Sequence, residues 1–375
     1  NAFALAMVLS ALRRKTQIET LLTRHMKKPL HKKGRLGHSF LLIGATQLLF
    51  MEVDPHAALS ATIDGVKMHP KSRFYQKLVN AVLRKLTKEV ADKVSIENTP
   101  PFLMKNWVTA YGKEKSRKIA LTHLEEPPLD ITLKTPSEAE EWAERLNGTI
   151  LPNGSIRIKK AGAIEKLAGF EQGAWCVQEA AASFPISIMG ADKGARVLDL
   201  CAAPGGKTAQ LAAKGAEVTA VENTPARLQR MEQNLTRLKL TAELVEGDIL
   251  QWEPPAQYPF ILLDAPCSAS GTMRRHPDIA WHKHNMEYLT RQQDKMLTRA
   301  ADWLEPGGIM VYCTCSLDKR EGEERVEHFL TTHPSFETQP INFLDWQGKY
   351  LRSLPSDWSA LGGLDGFFIA KLARR

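Results

Sequence analysis

The segment 199–208, Asp-Leu-Cys-Ala-Ala-Pro-Gly-Gly-Lys-Thr, constrains the fold of this chain more than any other part of its sequence. It follows the apolar pair Val197-Leu198, which predicts a buried strand, and it precedes a helical pattern that contains Leu211 and Ala212. Adjacent glycines between a strand and a helix let the backbone approach a ligand closely. The segment therefore predicts an α/β fold with a ligand at the carboxyl ends of parallel strands.

The residues of this loop indicate which ligand it holds. A phosphate-binding P-loop requires a glycine at position 201, where Cys201 stands, and the dinucleotide fingerprint G-x-G-x-x-G does not fit either. The loop begins with an acid, Asp199, and contains no complete phosphate cradle. This combination favours a nucleoside ligand without a pyrophosphate, such as S-adenosylmethionine.

Two further acids follow at the ends of predicted strands. The segment 217–222 predicts a strand that ends in Glu222, about 20 residues past the glycine loop, where an acid can bind ribose hydroxyls. A helix is predicted over 225–238, with Thr224 as its N-cap, and the next strand leads to Asp248. We expect Asp199, Glu222 and Asp248 to line one crevice at the edge of the sheet.

Two later apolar segments each bring a cysteine to the same edge. Phe260 to Asp264 predicts a strand that leads to Cys267, and Gly308 to Thr314, entered by a turn at 305–308, predicts one that leads to Cys315. Cys176 and Cys313 lie inside apolar runs and are interpreted as core residues. Zinc is not expected, because Cys313-Thr314-Cys315 lacks the two-residue spacer and the chain has no second cysteine pair or Cys/His cluster.

An enzyme that transfers a methyl group to a pyrimidine carbon needs a thiol. A thiolate that adds to carbon 6 makes carbon 5 nucleophilic, which is covalent catalysis. Asp264 is placed to stabilise the charge that develops near ring nitrogen 3, and a second thiol can assist removal of the carbon 5 proton. The sequence therefore predicts carbon methylation of a pyrimidine, while the chemistry alone leaves open whether Cys267 or Cys315 is the nucleophile.

Four motifs resemble those of RNA cytosine-C5 methyltransferases, and among them most closely the RsmB (Fmu, Sun) family, which methylates a cytosine of bacterial 16S rRNA. They are the loop at 199–208, Asp264-Ala-Pro-Cys-Ser268, Arg274-Arg-His-Pro-Asp-Ile-Ala-Trp281 and Thr314-Cys-Ser316. The resemblance extends over about residues 170–375. It implies an rRNA substrate, with a tRNA or 23S rRNA cytosine as the nearest alternative. A non-catalytic RNA-binding or antitermination-like factor is disfavoured by the intact Cys267 and Cys315.

The resemblance also implies the roles of individual residues. Cys315 corresponds to the nucleophile, Cys267 to the residue that assists product release, and Asp264 to the substrate-site acid. The implied cofactor-binding residues are Cys201, Ala202, Ala203, Pro204, Gly205, Gly206, Lys207, Glu222, Asp248 and Asp264. Glu222 stands where the family usually has Asp, and Glu179 ends the triplet 177–179 where Val-Gln-Asp is expected. Glu179 is given no catalytic role.

The amino-terminal region differs in charge. Residues 1–90 contain 16 Lys and Arg against 5 Asp and Glu, whereas the whole chain of 375 residues has a net charge of only +8. Concentrated basic charge, as in Arg13-Arg14-Lys15, Lys27-Lys28 and Lys32-Lys33, is typical of a polyanion-binding module. The segments 41–50, 55–58 and 78–84 resemble the NusB-like helical RNA-binding domain that this family carries. The chain begins at Asn1, and we expect the first helices of that domain to be missing.

These observations predict three domains. A shortened all-α NusB-like domain is expected over 1–92, a small α+β connecting domain over 93–170, and a Rossmann-like S-adenosylmethionine-dependent methyltransferase domain over 171–375. In the connecting domain, 129–134 predicts a strand and 137–146 a helix capped by Ser137. The catalytic domain should contain a mostly parallel seven-stranded sheet whose final antiparallel strand includes residues 366–370.

The global composition agrees with an intracellular enzyme. The longest apolar runs fall short of the roughly 18–20 residues of a membrane span. Five cysteines, two of them interpreted as reactive, fit the reducing cytosol better than a disulfide framework. The sequence thus predicts a cytoplasmic enzyme that uses S-adenosylmethionine, binds rRNA, and needs neither a metal nor a membrane.

Overall fold

The computed structural model describes residues 2–26, 30, 34–86, 98–159 and 161–375. Two compact units make up the chain. The first consists of Asn1–Glu125 together with Met273–His282, and the second of Glu126–Thr272 together with Lys283–Arg375. Lys27, Lys28, Lys32 and Lys33, which were predicted to contact RNA, lie outside the described residues. The predicted division into three domains stays a prediction.

The first unit is helical. Its described α-helices are α1 (Ala2–Arg13), α2 (Lys15–His25), α3 (Arg35–Phe50), α4 (Pro55–Met68), α5 (Gln76–Leu83) and α6 (Pro101–Thr122). Asp54 caps α4 by accepting a hydrogen bond from the amide of Ala57, and Pro55 occupies the first helical position, as helix starts favour. Apolar residues of α2 to α5 form one core, which includes Ile18, Leu22, Leu41, Val79 and Leu83. None of the helices in the described ranges is long and apolar enough to cross a membrane.

The segment Met273–His282 packs within this helical unit. Arg274 is 2% exposed, and its carbonyl accepts a hydrogen bond of 2.8 Å from Arg13. The indole of Trp281 donates to the carbonyl of Leu12 at 3.1 Å, and Lys15 lies over the Trp281 ring. The sequence predicts that the cluster Arg13-Arg14-Lys15 belongs to a polyanion-binding surface. That prediction is wrong for Arg13, which is buried because it holds a segment 261 residues away in the sequence.

A small antiparallel sheet begins the second unit. Its strands are β1 (Leu129–Leu133), β2 (Thr149–Ile150), β3 (Ile156–Ile158) and β4 (Trp175–Val177), in the order β2-β3-β1-β4. The predicted helix at 137–146 is shorter, because a 3₁₀ turn at Pro136–Glu138 precedes α7 (Ala139–Arg145). Ser137 lies inside that turn and therefore does not cap α7.

The large sheet carries the predicted loops. Its strands are β5 (Arg196–Leu200), β6 (Glu217–Glu222), β7 (Glu243–Glu246), β8 (Tyr258–Asp264), β9 (Leu304–Thr314), β10 (Phe336–Gln339), β13 (Leu351–Ser353) and β14 (Phe367–Arg374). The order β10-β14-β9-β8-β5-β6-β7 has seven strands, and β13 pairs with β14 as an eighth. Four neighbouring pairs are parallel, namely β9-β8, β8-β5, β5-β6 and β6-β7, whereas β14 is antiparallel to β9. This confirms the predicted fold class, including the antiparallel final strand.

Helices cover both faces of the sheet. They are α8 (Ala180–Met189), α9 (Gly206–Ala213), α10 (Pro225–Leu238), α11 (Met286–Trp303) and α12 (Glu323–Thr332). A separate hairpin is formed by β11 (Ile341–Phe343) and β12 (Trp346–Gly348). Apolar residues alternate along the central strands, so Leu262 joins the core on one face and Ile261 the core on the other. This packing fixes the strand ends at which the predicted site residues stand.

The predicted turn at 305–308 does not separate β9 from the preceding helix. It forms an irregularity inside β9 instead, since Tyr258 pairs with Leu304 while Phe260 pairs with Ile309. The residues of β9 that have no partner in β8 lie in this irregularity. Gly307, within it, has a φ of 77°, which favours glycine.

Candidate active site

The two predicted active-site cysteines lie together. Cys267 follows β8 and Cys315 follows the neighbouring parallel strand β9, so the chain brings both to one edge of the sheet. Their Sγ atoms are 3.5 Å apart, and both side chains are half-buried. The chain can therefore present two thiols to one substrate ring.

The environment of Cys267 favours its protonated form. The hydrogen bond with Cys315, burial and the nearby negative charge of Glu321 raise the pKa of the Cys267 thiol well above its usual range. A thiol that stays protonated is a poor nucleophile but a competent hydrogen-bond donor to a neighbouring sulfur. The two adjacent thiols are therefore coupled, since a charge on Cys315 raises the pKa of Cys267.

The two cysteines predicted to lie in the core differ in burial, since Cys313 is fully buried and Cys176 is partly buried. Cys313 is fully buried in β9, and burial raises the pKa of its thiol well above the usual range. Burial likewise raises the pKa of Cys176, to about 11. Both stay thiols at neutral pH, as expected of core residues.

An ion pair joins the glycine loop to the strand that leads to Cys267. Nζ of Lys207, at the start of α9, lies 2.7 Å from Oδ2 of Asp264, the last residue of β8. Burial opposes the charge of Lys207, but the attraction of Asp264 raises the pKa of the ammonium above its usual value. Cys313 Sγ donates weakly to the other oxygen of Asp264 at 3.6 Å. Asp264 is thus held in place while a quarter of its side chain, 28%, faces solvent.

The glycine loop turns sharply before α9. Gly205 has a φ of 94°, and a Cβ at this position would lie 2.6 Å from Cγ of Met231 in α10. Both the backbone conformation and the close helix therefore require glycine. Cys201 has a φ of 59°, in the left-handed region that non-glycine residues rarely adopt, which is a strained geometry typical of ligand-binding loops.

Glu222 is buried beside this loop and holds it. Its carboxylate accepts hydrogen bonds from the amides of Ala203 at 3.3 Å and Thr224 at 3.1 Å. Arg227 donates to Glu222 at 3.3 Å and to the carbonyl of Ala203 at 2.5 Å. The sequence analysis did not identify Arg227. Its position in the first turn of α10, five residues after Glu222 at the end of β6, could have indicated a partner for that acid.

A cleft opens at Glu222. It is lined by Cys201, Val221, Glu222, Asn223, Arg227, Gly247, Ile249, Pro266 and Met296. The cleft wall does not include the other implied residues of the glycine loop, of which Ala202, Ala203, Pro204 and Gly205 form the adjoining turn and Gly206 and Lys207 begin α9. A wider cavity lined by residues such as Arg196, Glu217 and Glu243 lies where the strands begin, away from the predicted site.

The three strand-end acids have different environments. Asp248 stands between the cleft residues Gly247 and Ile249, and its carboxylate accepts from the amide of Leu250 at 3.0 Å. Asp199 does not face the cleft. It is fully buried and accepts a 2.5 Å hydrogen bond from Thr208, and burial raises the pKa of its carboxyl to about 7. The expectation that Asp199 lines the crevice is therefore wrong, because its side chain points beneath the loop and fastens it to α9.

Glu179 has a structural role. Its carboxylate caps α8 by accepting from the amides of Ala181 and Ala182, and it also accepts from the amide of Asp365 at 2.9 Å. The carboxylate thus connects the start of α8 to the segment that precedes β14. Within the described ranges, no group of three or more His, Cys, Asp or Glu residues is arranged to hold a metal ion.

Residues 187–373 match the family described as 16S rRNA methyltransferase RsmB/F, and residues 1–88 match the NusB family. The ribosomal RNA small subunit methyltransferase B of Cronobacter sakazakii is 33% identical over 387 residues, which cover 97% of this chain and 88% of the relative. The protein of that name from Shewanella oneidensis is 33% identical over 380 residues, covering 96% of this chain and 87% of the relative.

Solved structures share the fold. PH0851 superposes with a TM-score of 0.82 at 20% identity, covering 99% of this chain and 90% of that one. A methyltransferase homologue from Pyrococcus horikoshii superposes with a TM-score of 0.62 at 25% identity, covering 78% of this chain and 97% of that one. NSun6 from the same organism, solved with SFG, gives a TM-score of 0.65 at 20% identity, covering 75% of this chain and 99% of that one.

Proposed function

We propose that this chain, which belongs to the 16S rRNA methyltransferase RsmB/F family, methylates carbon 5 of a cytosine in 16S rRNA through a covalent bond to Cys315. Family membership confirms the resemblance found in the sequence and makes the chain an RNA methyltransferase. The observation that carries the finer proposal is the pair of thiols at 3.5 Å, because methylation at oxygen or nitrogen needs no such pair.

The methyl donor of this family is S-adenosylmethionine, which supplies an electrophilic methyl group on a positively charged sulfur. The residues present fit it. The buried acid Glu222 faces the cleft, Gly205 keeps the loop close to α10, and the apolar wall includes Ile249 and Met296. We propose that Glu222 binds the ribose and Asp248 the adenine side, with the backbone of the loop 201–207 beneath them.

The chemistry proposed for the thiols starts at Cys315. Its thiolate forms a bond to carbon 6 of the cytosine, and the electron pair of the 5–6 double bond makes carbon 5 nucleophilic. Carbon 5 bonds to the methyl carbon, whose bond to sulfur breaks. The Cys267 thiolate accepts the carbon 5 proton, the electron pair of that C–H bond forms the 5–6 double bond again, and the bond between carbon 6 and Sγ breaks to release the Cys315 thiolate.

We propose that Cys267 and Asp264 serve the remaining steps of this reaction, which are removal of the carbon 5 proton and stabilisation of the charge on the ring. Asp264, held by Lys207, stabilises the charge that develops at ring nitrogen 3. The hydrogen bond between the two sulfurs raises the pKa of the Cys267 thiol while Cys315 is free. After Cys315 has bonded to carbon 6, Cys267 loses its proton to solvent and can accept the carbon 5 proton, which assists product release. The choice of Cys315 as the nucleophile follows the family resemblance, in which the cysteine of the Thr-Cys motif attacks carbon 6.

We further propose that the helical unit binds rRNA through the connection between α4 and α5. Met68 and Phe74 are 84% and 78% exposed there, which is unusual for large apolar side chains. The exposed cations Lys71, Arg73 and Lys77 lie in the same stretch of the sequence. An exposed ring among cations suits a stacked base with its phosphates.

Buried Ser72 anchors this connection between its exposed side chains. The Ser72 hydroxyl donates to the carbonyl of Val66 at 2.9 Å, so the backbone is held while Lys71 and Arg73 point outward. Arg73 lies over the Phe74 ring at 5.1 Å. The connection therefore presents basic and aromatic side chains on a backbone that is held in place.

Bisulfite sequencing tests the position of the methyl group. We expect 16S rRNA incubated with the enzyme and S-adenosylmethionine to gain a bisulfite-resistant cytosine, and Cys315→Ser to give none. Cys176→Ser, which changes a thiol in the small antiparallel sheet, serves as the control for loss of a cysteine. Transfer of methyl to the RNA without a bisulfite-resistant cytosine would refute methylation at carbon 5.

A further inference from the structure

A fully buried carboxylate lies behind the two thiols. Glu321 is 0% exposed and stands in the 3₁₀ turn Lys319–Glu321, between β9 and α12. Its oxygen Oε2 accepts hydrogen bonds of 2.5 Å from the hydroxyls of both Ser268 and Ser316. Its oxygen Oε1 accepts from the amide of Ser268 at 2.9 Å and from Nε2 of Gln293 at 3.1 Å. Such burial is costly for a charge unless hydrogen bonds satisfy it, and here four donors do so.

The partners of Glu321 are the neighbours of the thiols. Ser268 directly follows Cys267, and Ser316 directly follows Cys315. Gln293 also donates to the carbonyl of Pro266 at 2.9 Å, so the residue before Cys267 is held as well. One carboxylate thus ties together two loops that are 48 residues apart in the sequence.

The backbone of Glu321 is itself fixed to the strand that leads to Cys315. Its carbonyl accepts hydrogen bonds from the hydroxyls of Tyr312 at 2.9 Å and Thr314 at 3.2 Å. The backbone of Glu321 therefore cannot shift without disturbing β9. Its position defines where the two loops meet.

The loop of Cys267 has a second, independent attachment to the loop of Cys315. The amide of Gly271 donates to the carbonyl of Cys315 at 2.9 Å, and a Cβ on Gly271 would lie 1.9 Å from the carbonyl oxygen of Gly366. This attachment involves backbone atoms and would survive a change of the Glu321 side chain. Loss of the carboxylate should therefore loosen the spacing of the thiols without unfolding the site.

We propose that Glu321 is a positioning residue that holds Cys267 and Cys315 at their working separation. It touches neither substrate nor cofactor and acts through Ser268 and Ser316. The inference rests on the proposed covalent function, since the separation of the thiols matters only if both take part. A displacement of about 1 Å at reacting groups can cost about 10²-fold in rate.

The test replaces Glu321 by Gln. The amide keeps the size of the side chain but offers one acceptor oxygen instead of two, and its NH₂ group would face the donors Gln293 Nε2 and the Ser268 amide. RNA containing 5-fluorocytosine traps the covalent complex, because no carbon 5 proton can leave. We expect the rate of adduct formation to fall by about 10²-fold, with the KM for RNA and the Kd for S-adenosylmethionine within twofold of wild type.

The matched control is Asp130→Asn. Asp130 is also a buried carboxylate of this unit, bonded by Arg157 in the small sheet. If Glu321 only stabilises the fold, both variants should lose thermal stability and form the adduct equally fast below their melting temperatures, and the proposal would be overturned. A rate that falls in Glu321→Gln alone supports it.

A second variant covers the case that Glu321→Gln does not fold. Ser268→Ala combined with Ser316→Ala removes both hydroxyl links and leaves the carboxylate bonded to the Ser268 amide and Gln293. We expect this pair to slow the adduct as well, and an unchanged rate would overturn the positioning role. Wild-type enzyme that forms no adduct would refute the covalent function itself, which distinguishes the two failures.

Discussion

Lys207 Nζ lies 2.7 Å from Asp264 Oδ2, and this ion pair connects the loop beneath the proposed cofactor cleft to the strand that leads to Cys267. The pair is mostly shielded from solvent, since only 10% of the Lys207 side chain is exposed. The attraction between the two charges is correspondingly stronger than on a surface. A substitution at either residue should therefore affect the chemical step.

Asp264→Asn should lower the rate of methyl transfer in a single turnover by about 10²-fold, the range expected when a group that serves proton or charge transfer is lost. The sequence assigned Asp264 both to the substrate site and to the cofactor site. Calorimetry separates the two roles. An unchanged Kd for S-adenosylmethionine supports action on the base, whereas a weakened Kd with a normal single-turnover rate would contradict it.

Glu222→Ala and Asp248→Ala should each weaken the binding of S-adenosylmethionine by about 1–3 kcal/mol, the typical cost of losing hydrogen bonds to a polar ligand. Because Glu222 also bonds the amides of Ala203 and Thr224, its replacement should weaken binding more than that of Asp248. Isothermal calorimetry measures both. Glu179→Ala, which removes a cap of α8, controls for loss of an acid elsewhere. Wild-type affinity in both variants would mean that S-adenosylmethionine binds at a site other than this cleft.

The central elements could be predicted because their sequence signals are local. The strand β6 and the helix α10 have the bounds that the apolar pattern indicated, and the approach of Cys267 to Cys315 follows from the rule that parallel strands meet at their carboxyl ends. Each of these features depends on residues close in sequence or on one topological rule. That is why a single sequence was sufficient for them.

Other features depend on contacts between distant segments. Arg13 belongs to a basic cluster in the sequence, but its burial results from Arg274, 261 residues later. Glu321 sits among charged residues and gives no local sign that it is buried, because Ser268 and Gln293 come from other segments. Ser137 has the residue type of an N-cap, yet a 3₁₀ turn precedes the helix. Periodicity carries no information about such partners.

RNA binding by the helical unit should depend on salt through Lys71, Arg73 and Lys77. Replacing all three by Ala should reduce the slope of log K against log salt by about 2, because each contact with a single strand contributes about 0.7. The control variant replaces the exposed Lys166, Lys193 and Lys214 of the other unit. Filter binding over a salt series measures both slopes. Equal slopes in the two variants would mean that other cations bind the RNA.

Phe74→Ala tests the stacking part of the same surface. Loss of one stacked base should weaken RNA binding by about 1–3 kcal/mol without changing the salt slope, since no charge is removed. Phe102→Ala removes another exposed ring of the helical unit and serves as the control. Equal affinities of the Phe74 variant and wild type would show that Phe74 does not stack on RNA.

The buried carboxyl group of Asp199 should make the free energy of unfolding depend on pH. Burial raises the pKa of its carboxyl from an ordinary value of 3.8 to about 7 in the folded protein. Between these values the unfolded chain loses its proton while the folded protein keeps it, so the contribution of Asp199 to the free energy of unfolding falls as pH rises and levels off above pH 7. A shift of this size corresponds to on the order of 4 kcal/mol.

Asp199→Asn should remove that dependence. Urea unfolding from pH 4 to pH 8 should show the variant gaining stability relative to wild type up to about pH 7 and keeping the gain above it. Asp302→Asn, at an exposed position, should follow the wild-type curve. Parallel curves for wild type and the Asp199 variant would mean that Asp199 ionises normally in the folded protein.

The two thiols should be separable by the adducts that they form. Cys315→Ser should abolish methylation, because a hydroxyl is a far weaker nucleophile than a thiolate at neutral pH, while binding of S-adenosylmethionine survives. Cys267→Ala should still bond to RNA through Cys315 and then stall, leaving a complex that withstands denaturing electrophoresis. The reverse pattern, a complex in Cys315→Ala and none in Cys267→Ala, would make Cys267 the nucleophile. No complex in either variant, with full activity in Cys315→Ser, would exclude covalent catalysis by this pair.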